Sequence, residues 1–370
     1  MLRLLRPSAT DEKGSLVPSL KRSRPLAWLI AAAIGSLAAP YPAPAGADLF
    51  TPALRADFPD PFIIEHQGRY LAYATNTNKG RENVPMAASP DLLTWEMVKD
   101  RQGGVHDAMP NLPPWAKKGN TWAPEVLKTD GGFVLYFTAR HKKNGLQCVG
   151  TAVSADPLGP FTSQAAEPLV CQLDLGGTID ASPFRDADGQ LYLYFKNDGN
   201  NPKASKPTQI WVQRLTPDGL GLTGDPVALL KNDAPWEAHV IEAPTMVRHD
   251  GAYTMFYSAN DYGWQDTMRL SPYAIGYANC KGPLGPCTDS PNNPFLNSFN
   301  DPKLGCLSGP GHQTVIQAAG RSYIAFHAWQ ASSGCRRVDW ERHMYVAPLL
   351  WKNGEPAIGS VLRPAPATAR

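Results

Sequence analysis

One pattern returns five times along this chain at intervals near sixty residues, and it constrains the fold more than any other feature. The copies are Pro61–Thr75, Pro124–Thr138, Pro183–Lys196, Pro244–Ser258 and Gln313–His327. Each opens on a Pro or polar residue, runs through an extended apolar stretch, turns at a glycine and returns as an aromatic-rich stretch. The turn glycines are Gly68, Gly132, Gly189, Gly251 and Gly320, spaced 64, 57, 62 and 69 residues apart. β-Branched and aromatic residues on both sides of a Gly or Asp-Gly step predict two short strands about a tight turn. A further short strand and polar turn follow each hairpin, at Met86–Trp95, Gly150–Phe161, Ile210–Leu222, Ile275–Cys287 and Met344–Pro356. No long window carries the 3.6-residue period of an amphipathic helix. Three or four strands per repeat, five times, predict an all-β chain folded as a five-bladed β-propeller, whose radial closure protects strand edges. A pair of β-sandwiches would not explain five equivalent hairpins. The 32 Gly and 36 Pro show no period of three, which excludes collagen and fits many turns.

The propeller is expected over residues 48–370, because the first 47 read as a secretory leader. Lys21, Arg22 and Arg24 precede an apolar run, Leu26–Ala39, of 14 residues. That is too short to span a bilayer and suits a signal-peptide core. Two A-x-A cleavage sites follow, at Ala43–Ala45 and Ala45–Ala47. The leader carries six basic and two acidic residues, so the formal charge of +2 becomes 29 basic against 31 acidic, or −2, without it. No Lys/Arg block points to nucleic acid, and no mature segment points to a membrane. A secreted or periplasmic location follows. All six cysteines lie beyond the leader, an even count that favours disulfides in such a compartment. Fifteen pairings are formally open. The preferred set is Cys148–Cys171, Cys280–Cys287 and Cys306–Cys335, since each closes a short local loop. Zinc spacings such as C-x2-C are absent.

In a propeller the first strand of each blade lies nearest the axis, so residues just before those strands converge on one mouth of the channel. Those residues are Asp60, Trp122-Ala123, Asp180, Glu242 and His312. Three carboxylates from three blades, read as equivalent positions, therefore face one pocket with a histidine beside them. A single acid there would be read as a turn cap. Three together suit cleavage of a glycosidic bond, which needs a carboxylic acid for the leaving oxygen and a carboxylate on the opposite face. A third carboxylate nearby would keep the acid protonated. Glu125, inside its strand, is read as a structural partner. Asp57, Asp174 and Glu237 lie off the converging register.

Several short blocks now carry a resemblance: Asp60-Pro61, Trp122–Glu125, Ile179–Pro183, Ile241–Pro244, Gly311-His312, and Arg342 ahead of Val346–Leu349. In this order and spacing the chain resembles glycoside hydrolase family 43, five-bladed propeller enzymes acting on arabinose- and xylose-containing plant polysaccharides. The likeness runs from Asp57 to Trp351. It implies Asp60 as the general base that activates water, Glu242 as the general acid, and Asp180 as the residue that tunes and orients Glu242. It further implies single displacement with inversion. No cofactor is required, although in some relatives the histidine equivalent to His312 helps to place an axial calcium through waters.

Around the acids, Trp122 is expected at the pocket wall, where a flat ring stacks on a sugar face. His312 is expected to bond Asp60 or hold an axial water, and Arg342 to pair with substrate hydroxyls or a pocket carboxylate. The expected partner is a carbohydrate: arabinan, arabinoxylan or xylan oligosaccharides, cut at α-L-arabinofuranosyl or β-D-xylosyl linkages. Two other readings stay open, a non-catalytic carbohydrate-binding propeller and a retaining fructan-type furanosidase. Linkage specificity would rest on loops such as Asn76–Pro85, Val105–Lys118, Asn197–Thr208 and Ala259–Leu270.

Overall fold

The computed structural model describes residues 50–77, 80–302, 304–332 and 334–359; the leader expected over 1–47 lies outside them. Among the described residues the chain forms five antiparallel sheets in sequence order, a five-bladed β-propeller. Four blades have four strands. The second has three, Ala116–Thr129, Gly132–His141 and Gln147–Ser154. A two-stranded ribbon, Phe299–Asp301 with Gly305–Leu307, stands between blades four and five. The only helical turns described are the short 3-10 segments Leu173–Leu175 and Pro235–Glu237.

Five apolar clusters fill the five seams between neighbouring blades. Leu71 and Tyr73 of blade one meet Val126 and Phe137 of blade two. Leu127 and Val134 meet Leu193 and Phe195. Tyr194 and Ile210 meet Met246 and Met255. Phe256 and Ile275 meet Ile324 and Phe326. Ile316 and Val346 of blade five return to Ile63 and Ala72 of blade one. The alternating pattern read in each hairpin is thus spent on two flanking blades, which makes every blade depend on its neighbours.

The ring closes where the chain begins its fold. Ala53 and Phe58 donate backbone hydrogen bonds to the carbonyls of Met344 and Arg342, both at 2.8 Å. This segment runs beside blade five before it enters blade one at Asp60. The three disulfides are Cys148–Cys171, Cys280–Cys287 and Cys306–Cys335, the set expected from loop length, and no cysteine is left free. In the polar turn that closes Met86–Trp95, Asp91 Oδ1 accepts the N–H of Leu93 and Thr94, and Trp95 packs inward. No described helix is long and apolar enough to cross a membrane.

Candidate active site

Every blade builds its inner corner the same way. One residue at the start of the first strand takes a left-handed backbone: Asp60 (φ 56°), Ala123 (44°), Asp180 (57°), Ala243 (53°) and His312 (48°). In each case the strand gains one residue over its partner. Trp122 faces Thr138 while Glu125 faces Tyr136, and Glu242 faces Ser258 while Thr245 faces Phe256. Such a bulge bends the strand and re-aims the side chains beside it. Left-handed backbone at a residue with a Cβ is uncommon and costs of order 1–3 kcal/mol, so five copies need compensation. They receive it from the preceding blade. The Ala123 N–H bonds Thr75 Oγ1 at 2.8 Å, that of Asp180 bonds Thr138 Oγ1 at 3.3 Å, and that of His312 bonds Ser258 Oγ at 2.8 Å. The Asp60 N–H bonds His327 Nδ1 at 3.1 Å and closes the ring.

This geometry corrects one expectation. Asp60, Asp180 and His312 are equivalent, but the blade-four equivalent is Ala243, with Glu242 one residue earlier. Glu242 matches Trp122 of blade two, so the two faces of the bulge supply different groups to one mouth. Blade four is also the one break in the backbone ring. The Ala243 N–H bonds the Asp180 carboxylate at 3.0 Å, and Lys196 stands where the other blades have Thr75, Thr138, Ser258 and His327. Lys196 is fully buried, with Nζ 3.1 Å from Glu242 Oε2 and 2.6 Å from Asn200 Oδ1. Tyr273 completes the cradle by donating its hydroxyl to Glu242 Oε1 at 2.6 Å. Only glycine at 311 permits this, because a Cβ there would come 1.9 Å from the Tyr273 ring.

Asp60 sits in a cationic and hydrogen-bonded nest. His312 Nδ1 and Arg342 Nη1 each lie 3.4 Å from its Oδ1, and the Thr75 hydroxyl donates to its Oδ2. Burial opposes its ionisation, but the charges of His312 and Arg342 outweigh burial and hold Asp60 well below the usual carboxylate range. His327 is neutral, since burial and the nearby Arg342 lower it to about 4; its Nδ1 therefore accepts from the Asp60 N–H, and its 3.2 Å approach to Oδ1 is no ion pair. Asp180 behaves oppositely. Burial pushes it up to about 6, opposed by His312 and reinforced by the charge of Glu242. Glu242 is largely enclosed, and this raises it, yet the Lys196 ammonium and the Tyr273 hydroxyl hold it below its ordinary value. Asp180 is thus the member of the pair pushed up and Glu242 the member held down, and the pair takes up a proton as pH falls through about 6.

The remaining candidates are also placed. Trp122 is half-buried at the pocket level of Glu242. Glu125 is buried beside Ser182 and Asp180, and burial drives it well above the carboxylate range, so it is a neutral partner. Asp57 accepts the Arg342 N–H at 3.0 Å, and Glu237 accepts from the N–H groups of Asp233 and Ala234; both are structural. Asp174 is exposed on its 3-10 turn. Sequence reading missed Lys196, His327, Thr75 and Tyr273. Three of these close the repeat segments quoted above, and Lys196 is the odd residue among those five endings. A direct calcium cage does not fit. Calcium takes six to eight oxygen ligands. Among the described residues no group of three or more His, Cys, Asp or Glu is arranged for a metal, and Arg342 and His312 already occupy Asp60.

A propeller that gathers three carboxylates from three blades at one mouth has the equipment of a glycoside hydrolase. The chain belongs to glycosyl hydrolases family 43, whose model matches residues 50–356. It is similar to the β-D-galactofuranosidase xynD of Aspergillus niger, 27% identical over 285 residues, covering 73% of each chain. The xylosidase/arabinosidase 43A of Humicola insolens is 29% identical over 279 residues, 65% of this chain and 75% of that one. The crystal structure of a thermostable family-43 glycoside hydrolase superposes with a TM-score of 0.69 at 29% identity, covering 84% of this chain and 96% of that chain. The protein is a glycosidase that hydrolyses O-glycosyl compounds.

Proposed function

We propose that the protein removes α-L-arabinofuranosyl or β-D-xylosyl units from arabinan, arabinoxylan or xylan chains by single displacement with inversion. The observation that carries this reading is the geometry at the mouth: Asp60 is held by His312 and Arg342, and across from it Glu242 is held by Lys196 and Tyr273 with Asp180 beside it. Asp60 takes a proton from water, oriented by Thr75, His312 and Arg342. Glu242, protonated from solvent, gives its proton to the leaving oxygen, and Asp180, which accepts the Ala243 N–H beside it, orients Glu242 and favours its protonated form by like charge. Trp122 stacks on the sugar. The relatives named for arabinosidase and xylosidase activity support this choice of sugar, and the galactofuranosidase adds a furanoside to the test panel. Three disulfides and the leader support a secreted or periplasmic location.

Proton NMR of the first-formed sugar from aryl arabinofuranoside, xyloside and galactofuranoside should show the inverted anomer. Retention would overturn single displacement. The pH profile of kcat/KM supplies an independent check, since it reports the free enzyme. Activity needs the pair protonated, so it should fall as pH rises through about 6, the value set at Asp180. It needs Asp60 ionised, so the acid limb should lie below about 4, the ordinary carboxylate value. An acid limb above that value would contradict the nest around Asp60.

A further inference from the structure

The strand Arg337–Lys352 brings Arg342 to Asp60 and continues outward from it. Between Arg337, opposite Ala331, and Arg342, opposite Trp329, the strand is irregular, and Val338 and Trp340 lie in that bulged stretch. Both are exposed, Val338 at 56% and Trp340 at 60%. A large indole left in water on the strand that serves the catalytic centre calls for an explanation.

Trp340 is exposed yet fixed. The Arg337 guanidinium stacks 3.6 Å from its ring centroid and so covers one face. Arg337 is itself tied down by the Trp264 carbonyl at 2.6 Å and by Asp266 at 2.5 Å. The indole meets Trp329 at 5.7 Å between centroids, T-shaped, and is still 60% exposed. Trp329 donates its ring N–H to the Tyr262 carbonyl at 2.8 Å. Arg342 lies over both the Tyr262 and Trp329 rings, at 5.6 and 5.9 Å. Tyr262 is 53% exposed. A continuous line of aromatic and guanidinium groups thus runs from Asp60 through Arg342 and Trp329 to Trp340, with Tyr262 beside Arg342. The disulfide Cys306–Cys335 ties down the residue two places ahead of this strand.

We propose that the open face of Trp340, with Tyr262, forms a further sugar-binding subsite for the chain whose scissile bond lies at Asp60 and Glu242. The claim rests on the glycosidase reading above. A pinned, flat, apolar ring is complementary to the C–H face of a sugar. The unit it takes is neutral, because the Arg337 charge is committed to Asp266. The catalytic mouth then lies in an open groove that holds more than one sugar on this side.

The test compares wild type, Trp340→Ala and Trp340→Phe on aryl monoglycosides and on linear arabino- and xylo-oligosaccharides of two to five units. In the wild type KM should fall as the chain lengthens. In Trp340→Ala KM for the longer chains should rise roughly three- to tenfold more than KM for the aryl monoglycoside, with Phe restoring most of the loss. Equal dependence on chain length in wild type and Trp340→Ala would overturn the subsite. So would a change in sedimentation mass on Trp340→Ala, which would mark this face as a contact between copies. Retardation in gels containing arabinan or xylan reads binding without turnover. A wild type inactive on every glycoside defeats the glycosidase reading alone; retardation lost in Trp340→Ala would still support the subsite, and retardation kept would overturn it.

Discussion

Glu242→Gln is expected to lower kcat by roughly 10²–10⁴ on a glycoside whose leaving group is a sugar or simple alcohol. On a dinitrophenyl glycoside, whose leaving group departs without protonation, the same variant should lose far less. Asp60→Asn should lose a comparable factor on both, because water must be activated whatever leaves. Leaving-group dependence therefore tells the two carboxylates apart where a simple loss of activity does not. If Glu242→Gln fell equally on both substrates, the acid role would pass to Asp180, whose carboxyl is pushed up to about 6 by burial. Folding must be controlled for, since Glu242→Gln leaves the buried Lys196 ammonium with Asn200 alone. Breaking one side of a buried ion pair costs about 3–5 kcal/mol. A lower Tm is thus expected, measured by circular dichroism. The double variant Lys196→Met/Glu242→Gln should recover much of that Tm and none of the activity.

Lys196→Met by itself should move the alkaline limb of kcat/KM to higher pH. The sign follows from charge: removing a cation beside a carboxylate favours its protonated form, so the Asp180–Glu242 pair keeps its proton further up the scale. Peak kcat should fall by about tenfold or more, because Glu242 keeps only the Tyr273 hydroxyl to orient it. A limb that stayed in place or moved down would mean that Lys196 does not govern this proton. Met roughly fills the volume of the lysine stem and carries no charge, so the comparison isolates the ammonium. The same substitution also bears on the backbone ring, since Lys196 fills the only second-strand position of the five that does not anchor a bulge.

Much of this site was legible in the sequence. The five hairpins, the three acids, His312 and Arg342 were visible because the repeat imposes a common frame, and a residue type recurring in that frame is hard to miss. Glu242 was read one position out of register because a bulge adds a residue without leaving a composition mark. Asp60-Pro61 and Glu242-Ala243-Pro244 look alike as strings, and only the left-handed backbone of Ala243 separates them. Lys196 stood in plain sight at the end of the third segment, but a lysine on a strand reads as solvated until its burial is known. Tyr273 and His327 act through contacts across 31 and 267 residues of chain, which no local pattern records.

The way the ring is closed has a consequence for biosynthesis. Asp60 is made early but acquires its surroundings late. His312, His327 and Arg342 all come from the last blade, and Arg342 is 282 residues further along the chain. A nascent chain that has emerged through blade four carries Asp180, Glu242 and Lys196, yet Asp60 has neither its cations nor its backbone anchor. Long-range pairing of this kind carries a loop-closure penalty before it is rewarded and is intrinsically slow. The half of the site around Asp60, the proposed base, is therefore the last to mature, and catalytic competence reports completion of the whole ring.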